Sequence, residues 1–277
     1  MNKFNTIHLH TRYSDGNNDA YEYIEEAIRL GLISIGISDH SPVPLDSSWA
    51  MKKNDLPKYI NELNYLKKTY GKNINVYTGM ELDYIQGLDI KKYIDFDELN
   101  LDYFIGSVHY IYSDLLNGYG TADNTQENVE KLLNEGFNGD STAFYTRYYQ
   151  TLREMIQAYT PVMIAHFDVL EKRNINKVLF NPESESYKDQ IEKTLSVIKT
   201  SCVEVNTGAM AKNIDVLYPS EYILKRCLKK NIPLSVNSDC HFISGLLFAY
   251  DTAVSLLKKT GYEYVYAYDG IMKPIRI

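Results

Sequence analysis

Two histidines one residue apart, His8-Leu9-His10, close an apolar opening run that reads as a β-strand. Side chains alternate faces along a strand, so both imidazoles project from one side while Leu9 points to the other. Two imidazoles on one face are half a metal site. The same spacing returns near the far end in Asp239-Cys240-His241, where Asp239 and His241 share a face and Cys240 turns away. Between these segments lie Asp15, Asp39-His40, Glu81, His109 and His166. The chain has only six histidines, and all six fall here, at the ends of expected strands. A lone histidine is an ordinary core or surface residue. That explanation weakens when most of them have an aspartate or a second histidine within two positions.

His8, His10, Asp15, His40, Glu81, His109, His166, Asp239 and His241 together supply imidazoles and carboxylates. One four-coordinate catalytic zinc uses about three protein ligands plus water, so this larger set implies two or three divalent ions with shared bridges. Imidazole and carboxylate in combination suit zinc, manganese or iron rather than copper or an iron–sulfur cluster. Clustered divalent ions lower the pKa of a water and clamp phosphoryl oxygens as charge moves during displacement. The chemistry to expect is metal-assisted hydrolysis, with phosphate esters as substrates and amides as the competing class.

The elements that position these groups follow a repeating order. Asp19 can cap a helix through Ile24, Ala27 and Ile28 that Gly31 ends. Ile33, Ile35 and Ile37 alternate as a strand that delivers Asp39-His40 at its carboxyl end. A loop with the only tryptophan, Trp49, precedes a helix from about Asp55 that Gly71 closes. A strand through Ile74 and Val76 reaches Glu81, and Tyr103 to Val108 reaches His109. Tyr110 to Ser141 reads as an irregular excursion, either a surface connection or a substrate lid. A helix through Leu152, Met155 and Ile156 leads to the strand Val162–Ala165 and then to His166 and Asp168. A helix from about Lys188 to Thr200 precedes a strand through Cys202–Asn206, and Pro219-Ser220 opens another helix. Ile232 to Val236 then leads to Asp239, and one more helix and a strand near Tyr264 to Tyr268 end the chain.

Strand, ligand, loop and helix thus recur about seven times. Such alternation implies a parallel sheet, and ligands at successive carboxyl ends imply a closed barrel with its site on that face. An open doubly wound sheet is the alternative, but its ligands gather at one switch point. The expected fold is therefore α/β, a single-domain distorted (β/α)7 TIM-like barrel over residues 1–277. No Gly-rich dinucleotide fingerprint, Walker loop or Gly-x-Ser-x-Gly elbow is present.

Composition narrows the partners. The net charge of −7 disfavours a general nucleic-acid or anionic-membrane surface, although bound cations would reverse the sign locally inside an acidic pocket. Cys202, Cys227 and Cys240 are few and lack Cys-x-x-Cys spacing, as in a reducing compartment. Met1-Asn2-Lys3-Phe4 does not begin a signal-peptide apolar region, and no apolar run nears the ~20 residues of a membrane span. A cytoplasmic protein with a small-molecule substrate, and with neither nucleic acid nor membrane as a partner, is expected. The tyrosines, 25 in all, are scattered without interleaved basic residues and are read as packing rather than base stacking.

His8-x-His10 with Ser14-Asp15-Gly16, Ser38-Asp39-His40, Gly79-x-Glu81, Gly106-Ser107-Val108-His109, Ala165-His166-x-Asp168 and Asp239-x-His241 occur in order over residues 7–241. Together they resemble the motifs of the polymerase-and-histidinol-phosphatase (PHP) superfamily. Met80 to Tyr84, Ser107 to Tyr110, Glu204 to Gly208 and Tyr218-Pro219-Ser220 resemble its histidinol-phosphate phosphatase branch. The resemblance implies a distorted seven-stranded barrel with a trinuclear metal centre, and hydrolysis of L-histidinol phosphate in histidine biosynthesis. It further implies that Glu81 bridges two metals, with His8, His10 and Asp239 on one, His109 and His166 on the second, and Asp15, His40 and His241 on the third.

Glu81, Asp239 and His241 are the expected catalytic groups, joined by Asp168 as either support or proton donor to the leaving alkoxide, while Asp39 is expected to orient a neighbouring ligand. The family often places arginine after Asn-Thr-Gly to grip phosphate, whereas this chain has Ala209-Met210-Ala211-Lys212. Lysine is a point charge without the bidentate fork. Lys212, Arg173, Arg12 and Asn206 are therefore the candidates for substrate binding. Two other functions fit the same residues: a phosphoesterase acting on nucleotides or other small phosphate esters, and a non-catalytic metal-binding barrel.

Overall fold

The computed structural model describes residues 4–277; Met1–Lys3, the start of the opening run, lie outside the described residues. Strands β1 (Ser34–Ile37) and β2 (Asn75–Thr78) pair in parallel, and β3 (Glu81–Asp83) and β4 (Ile105–Ser107) begin a five-stranded parallel sheet. The antiparallel hairpin β5 (Tyr110–Ser113) and β6 (Gly118–Thr121) interrupts it. Then β7 (Met163–Ile164), β8 (Cys202–Asn206) and β9 (Leu234–Asn237) complete the order β3-β4-β7-β8-β9. An antiparallel pair, β10 (Tyr264–Tyr268) and β11 (Met272–Arg276), closes the chain.

Helices lie between the strands, each burying one face. In Ala20–Leu30, the Glu22 carboxylate accepts from the Asp19 N–H at 2.7 Å, and Gly31 ends the helix at φ +70°. Its buried residues, Tyr23, Ile24 and Ala27, fall three and four apart, the spacing of one helical face. Leu56–Tyr70, Ser141–Tyr159, Glu185–Val197, Glu221–Lys230 and Tyr250–Thr260 repeat that arrangement. Among the described residues no helix is long and apolar enough to cross a membrane.

The opening segment is not the regular strand that its alternation implies. Thr6 bridges Ile35 and Leu9 bridges Cys240, each as a single parallel bridge. Side chains have taken the places of ladder partners: Asn237 Oδ1 accepts from Ile7 N–H at 2.8 Å, and Tyr103 hydroxyl donates to Ile7 C=O at 2.7 Å. A further parallel bridge joins His40 to Glu81.

The excursion after His109 is also more ordered than an irregular loop. Four residues, Asp114 to Asn117, turn the β5–β6 hairpin, the last of them, Asn117, at φ +44°. Asparagine tolerates that left-handed backbone better than most residues. Helix Gln126–Lys131 follows, capped by the Thr125 side chain on Asn128 N–H.

Candidate metal centre

The carboxyl ends of the parallel strands carry a buried polar cluster where an ordinary barrel or sheet would bury apolar groups. His8, His10, Asp39, Glu81, Glu204 and Asn206 are all 1% exposed or less. Glu81 enters on β3, Glu204 and Asn206 on β8, and His8 and His10 on the opening segment. His166 and Asp239 follow β7 and β9 with positive φ, +24° and +46°. For residues other than glycine such backbone costs about 1–3 kcal/mol and persists where surrounding structure fixes it. Asp239 and His241 thus share the site through a left-handed turn rather than through strand alternation, with His241 Nδ1 2.9 Å from Asp239 C=O.

Two glycines permit the close packing. A Cβ on Gly16 would lie 2.0 Å from the carbonyl oxygen of His10, so only glycine lets the Asp15 loop fold against the histidine segment. A Cβ on Gly208 would lie 2.9 Å from Ser238 oxygen and 3.1 Å from Asp239 Cβ.

All nine expected ligands are brought together. His10, Asp15, His40 and His241 form one group and His8, His10 and Asp239 a second. Glu81, His109 and His166 form a third, and a fourth joins His40, His109 and Asp83, which was not expected as a ligand. Within each group the donor atoms lie within 4.8 Å of one another. Glu81 is central: its Oε2 is 2.7 Å from His40 Nδ1, 3.4 Å from His8 Nε2 and 3.7 Å from His10 Nε2, and its Oε1 is 3.0 Å from His166 Nε2.

The donor set fits divalent cations. His8 Nε2, His10 Nδ1, His40 Nδ1, Asp15 Oδ1 and Glu81 Oε2 are buried without a hydrogen-bond partner. His40 Nδ1 and Glu81 Oε2 are close but do not meet along a hydrogen-bond axis. Orphaned buried polar atoms are costly, and a shared cation is the partner that suits many lone pairs at once. Burial pushes Glu81 up, but His40, His8 and His109 outweigh it and hold its carboxyl well below the usual range. Burial likewise opposes ionisation of Asp239, which His8 and His10 hold well below the usual range. Burial, reinforced by His40 and His241, lowers His10 to about 3, leaving that imidazole neutral. Burial pushes His8 and His40 down, but the carboxylates carry both up, so a metal binding here finds its carboxylates ionised and displaces protons from these imidazoles.

The carboxylates behind the imidazoles were missed as site residues. Glu204 Oε1 lies 2.7 Å from His8 Nδ1, and its Oε2 accepts from His166 N–H at 2.8 Å. Asp83 Oδ1 lies 2.9 Å from His109 Nδ1 and accepts from His109 N–H at 3.0 Å. Burial pushes His109 down, but Asp83 and Glu81 carry it up to about 10. The signal was present as alternation, Glu81-x-Asp83 and Glu204-x-Asn206, each pair sharing a strand face. Asp39 touches no imidazole nitrogen; its carboxylate accepts from Thr11 N–H at 2.7 Å, Thr11 hydroxyl at 2.8 Å and Ser14 hydroxyl at 2.5 Å, shaping the loop that carries Asp15.

The centre opens on a cleft of about 530 Å³. Lys172, Arg173 and Lys212 are among its lining residues, with Trp49 and Asn124 also contributing. Lys172 ion-pairs with Asp123, and Arg173 Nε donates to Asp123 C=O at 3.1 Å. Arg12 does not join them: it is an exposed side chain paired with Asp19 at 3.1 Å. Asn206 is saturated, donating to Glu204 at 2.9 Å and Asp239 at 3.1 Å and accepting from Gly208 N–H at 2.8 Å. Asp168 lies behind the cleft, where burial pushes its carboxyl up to about 7 and one oxygen accepts from Ser220 N–H at 2.9 Å.

Parallel α/β architecture with a buried imidazole–carboxylate cluster at its carboxyl edge defines a metal-site protein of the kind that performs hydrolysis. The chain belongs to the PHP domain family, whose model matches residues 6–208. It is 29% identical over 263 residues to a histidinol-phosphatase of Bacillus subtilis, covering 88% of this chain and 96% of that one. Its fold is similar to a candidate histidinol phosphatase of Listeria monocytogenes, with TM-score 0.77 and 22% identity over 90% of this chain and 99% of the other. It is also similar in fold to the histidinol phosphate phosphatase of Lactococcus lactis, solved with zinc, L-histidinol and phosphate, with TM-score 0.71 and 17% identity over 98% and 99%.

Proposed function

We propose that this protein is a metal-dependent phosphomonoesterase that hydrolyses L-histidinol phosphate to L-histidinol and phosphate. One observation carries the reading: a buried set of convergent, unpartnered imidazole and carboxylate atoms opens directly onto a cleft walled by Lys172, Arg173 and Lys212. The Bacillus subtilis relative supports the substrate.

His8, His10, Asp15, His40, Glu81, His109, His166, Asp239 and His241 would hold two or three divalent cations, zinc, manganese or iron. Such cations supply Lewis acidity and charge neutralisation to a phosphoryl group. Glu204 and Asp83 keep the His8 and His109 rings oriented, because a carboxylate at Nδ1 fixes the proton there and turns Nε2 inward. Lys212 and Arg173 attract the phosphoryl dianion and orient it, and Lys172 adds charge to the same cleft. Asp168, whose carboxyl burial pushes up to about 7 and which keeps one unpartnered oxygen, is the group available to hold a proton near neutrality.

The single bridges Thr6–Ile35, Leu9–Cys240 and His40–Glu81 support a distorted seven-stranded barrel in which the opening segment joins β9 to β1. On this reading residues 1–277 form one domain in a cytoplasmic enzyme whose partner is a small phosphate ester. The decisive assay is phosphate release from L-histidinol phosphate, with a nucleotide and an aryl phosphate as competitors and a chelated control. A preference for histidinol phosphate of several orders of magnitude in kcat/KM, lost on chelation, is expected. Slow or indiscriminate release would overturn the substrate.

A further inference from the structure

Tyr218 lines the same cleft as Arg173 and Lys212, yet its hydroxyl has no partner. The residue is 2% exposed and belongs to the core cluster that also holds Val205 and Ala209. Its backbone is clamped to Asn206 on both sides, with Asn206 N–H donating to Tyr218 C=O at 2.7 Å and Tyr218 N–H donating to Asn206 C=O at 3.2 Å. Asn206 in turn holds Asp239, so the tyrosine ring is indexed to the centre through one short path. A buried phenol almost always finds an acceptor. Of the carboxylates near it, Asp123 pairs with Lys172 and Asp239 with His10, while Asp168 accepts from Ser220 N–H through one oxygen and its other oxygen forms no hydrogen bond with the phenol.

We infer that Tyr218 touches the substrate, its hydroxyl donating a hydrogen bond to an oxygen of the bound phosphoryl group. The inference rests on the phosphomonoesterase reading and adds a neutral donor to the cations lining the cleft. Arg173 and Lys212 bring positive charge to the cleft that Tyr218 also lines. A rigid neutral donor stabilises the anion without the reorganisation that a flexible side chain requires. Burial pushes the phenol well above its ordinary range, so the hydroxyl keeps its proton throughout the working pH range.

The test is Tyr218→Phe in the metal-loaded protein, read four ways: metal content, Tm without phosphate, inhibition by inorganic phosphate, and kcat/KM. The substitution removes only an atom that lacks a partner. A purely structural tyrosine therefore predicts unchanged or higher Tm and unchanged catalysis. Substrate contact predicts unchanged metal content and Tm, a fall in kcat/KM of roughly 10- to 100-fold, as for a hydrogen bond to a charged group, and weaker phosphate inhibition with a smaller phosphate-induced rise in Tm. Unchanged phosphate affinity, or activity lost together with metal, overturns the inference. If the native protein ignores histidinol phosphate while Tyr218→Phe still weakens phosphate binding, the substrate assignment falls and Tyr218 stands.

Discussion

Glu204 Oε1 sits 2.7 Å from His8 Nδ1, and this contact turns the opposite nitrogen, Nε2, toward Glu81 and Asp239 at 3.4 and 3.5 Å. A carboxylate at that position fixes the tautomer and raises the basicity of the inward nitrogen. The other Glu204 oxygen accepts from the His166 and Asn206 N–H groups. Glu204→Gln would place an amide in a pocket built for an acceptor on every side. It should weaken metal affinity about 10- to 100-fold, and activity should return when the metal concentration is raised. A metal titration of both proteins, followed by activity, checks this; equal affinities would remove Glu204 from the site.

Lys212 reaches the cleft from the short helix Gly208–Ala211, which packs on Asp239 through the bare Cα of Gly208. Its ammonium can meet a phosphoryl oxygen but offers no fork. Lys212→Met keeps the apolar stem and removes the charge, and a charge-assisted contact of about 1.5–3 kcal/mol implies a loss in kcat/KM on the order of 10- to 100-fold. Lys212→Arg should retain most activity. Steady-state kinetics on the two variants, with metal content measured in parallel, separates substrate binding from damage to the centre.

Gly16 tests how the loop supplies Asp15. Its missing Cβ is replaced by the His10 carbonyl, 2.0 Å from where that carbon would stand. Gly16→Ala must push the loop away from the histidine segment, at a cost of about 1–3 kcal/mol. Asp15 would then withdraw from His241, now 3.2 Å from its Oδ2. Lower Tm and loss of part of the metal are expected together, and metal analysis with a thermal melt reads both.

Much of the centre was legible because strand alternation is a strict rule. His8 and His10 share a face, and Leu9 and Cys240 fall in the same core behind them, as period two requires. The rule did not extend to the backbone: the opening segment lacks a regular ladder because Asn237 and Tyr103 side chains occupy Ile7's hydrogen-bonding groups. Those partners lie 230 and 96 residues away, beyond any local pattern. Asp83 and Glu204 were visible within motifs, but only spatial proximity to Nδ1 atoms reveals what they do. Arg12 was misleading for the converse reason. It neighbours the loop of Asp15 in sequence, yet pairs outward with Asp19.

Removing the metals should cost stability as well as activity. Several convergent atoms, among them His8 Nε2, His10 Nδ1 and Glu81 Oε2, are buried without partners, so only the native state presents the complete site. Each cation present at about 1,000 times its dissociation constant would add about 4 kcal/mol. For a domain of this size each kcal/mol moves Tm by about 2–4 °C, so stripping one site should lower Tm by roughly 10 °C and stripping more should lower it further. Differential scanning calorimetry of chelated and reloaded protein measures the shift, and Glu81→Gln provides the control. That substitution removes the carboxylate common to His8, His40 and His166 contacts, so the variant's Tm should respond far less to added metal and its turnover should vanish. A Tm indifferent to chelation in the native protein would mean that the cluster does not hold cations.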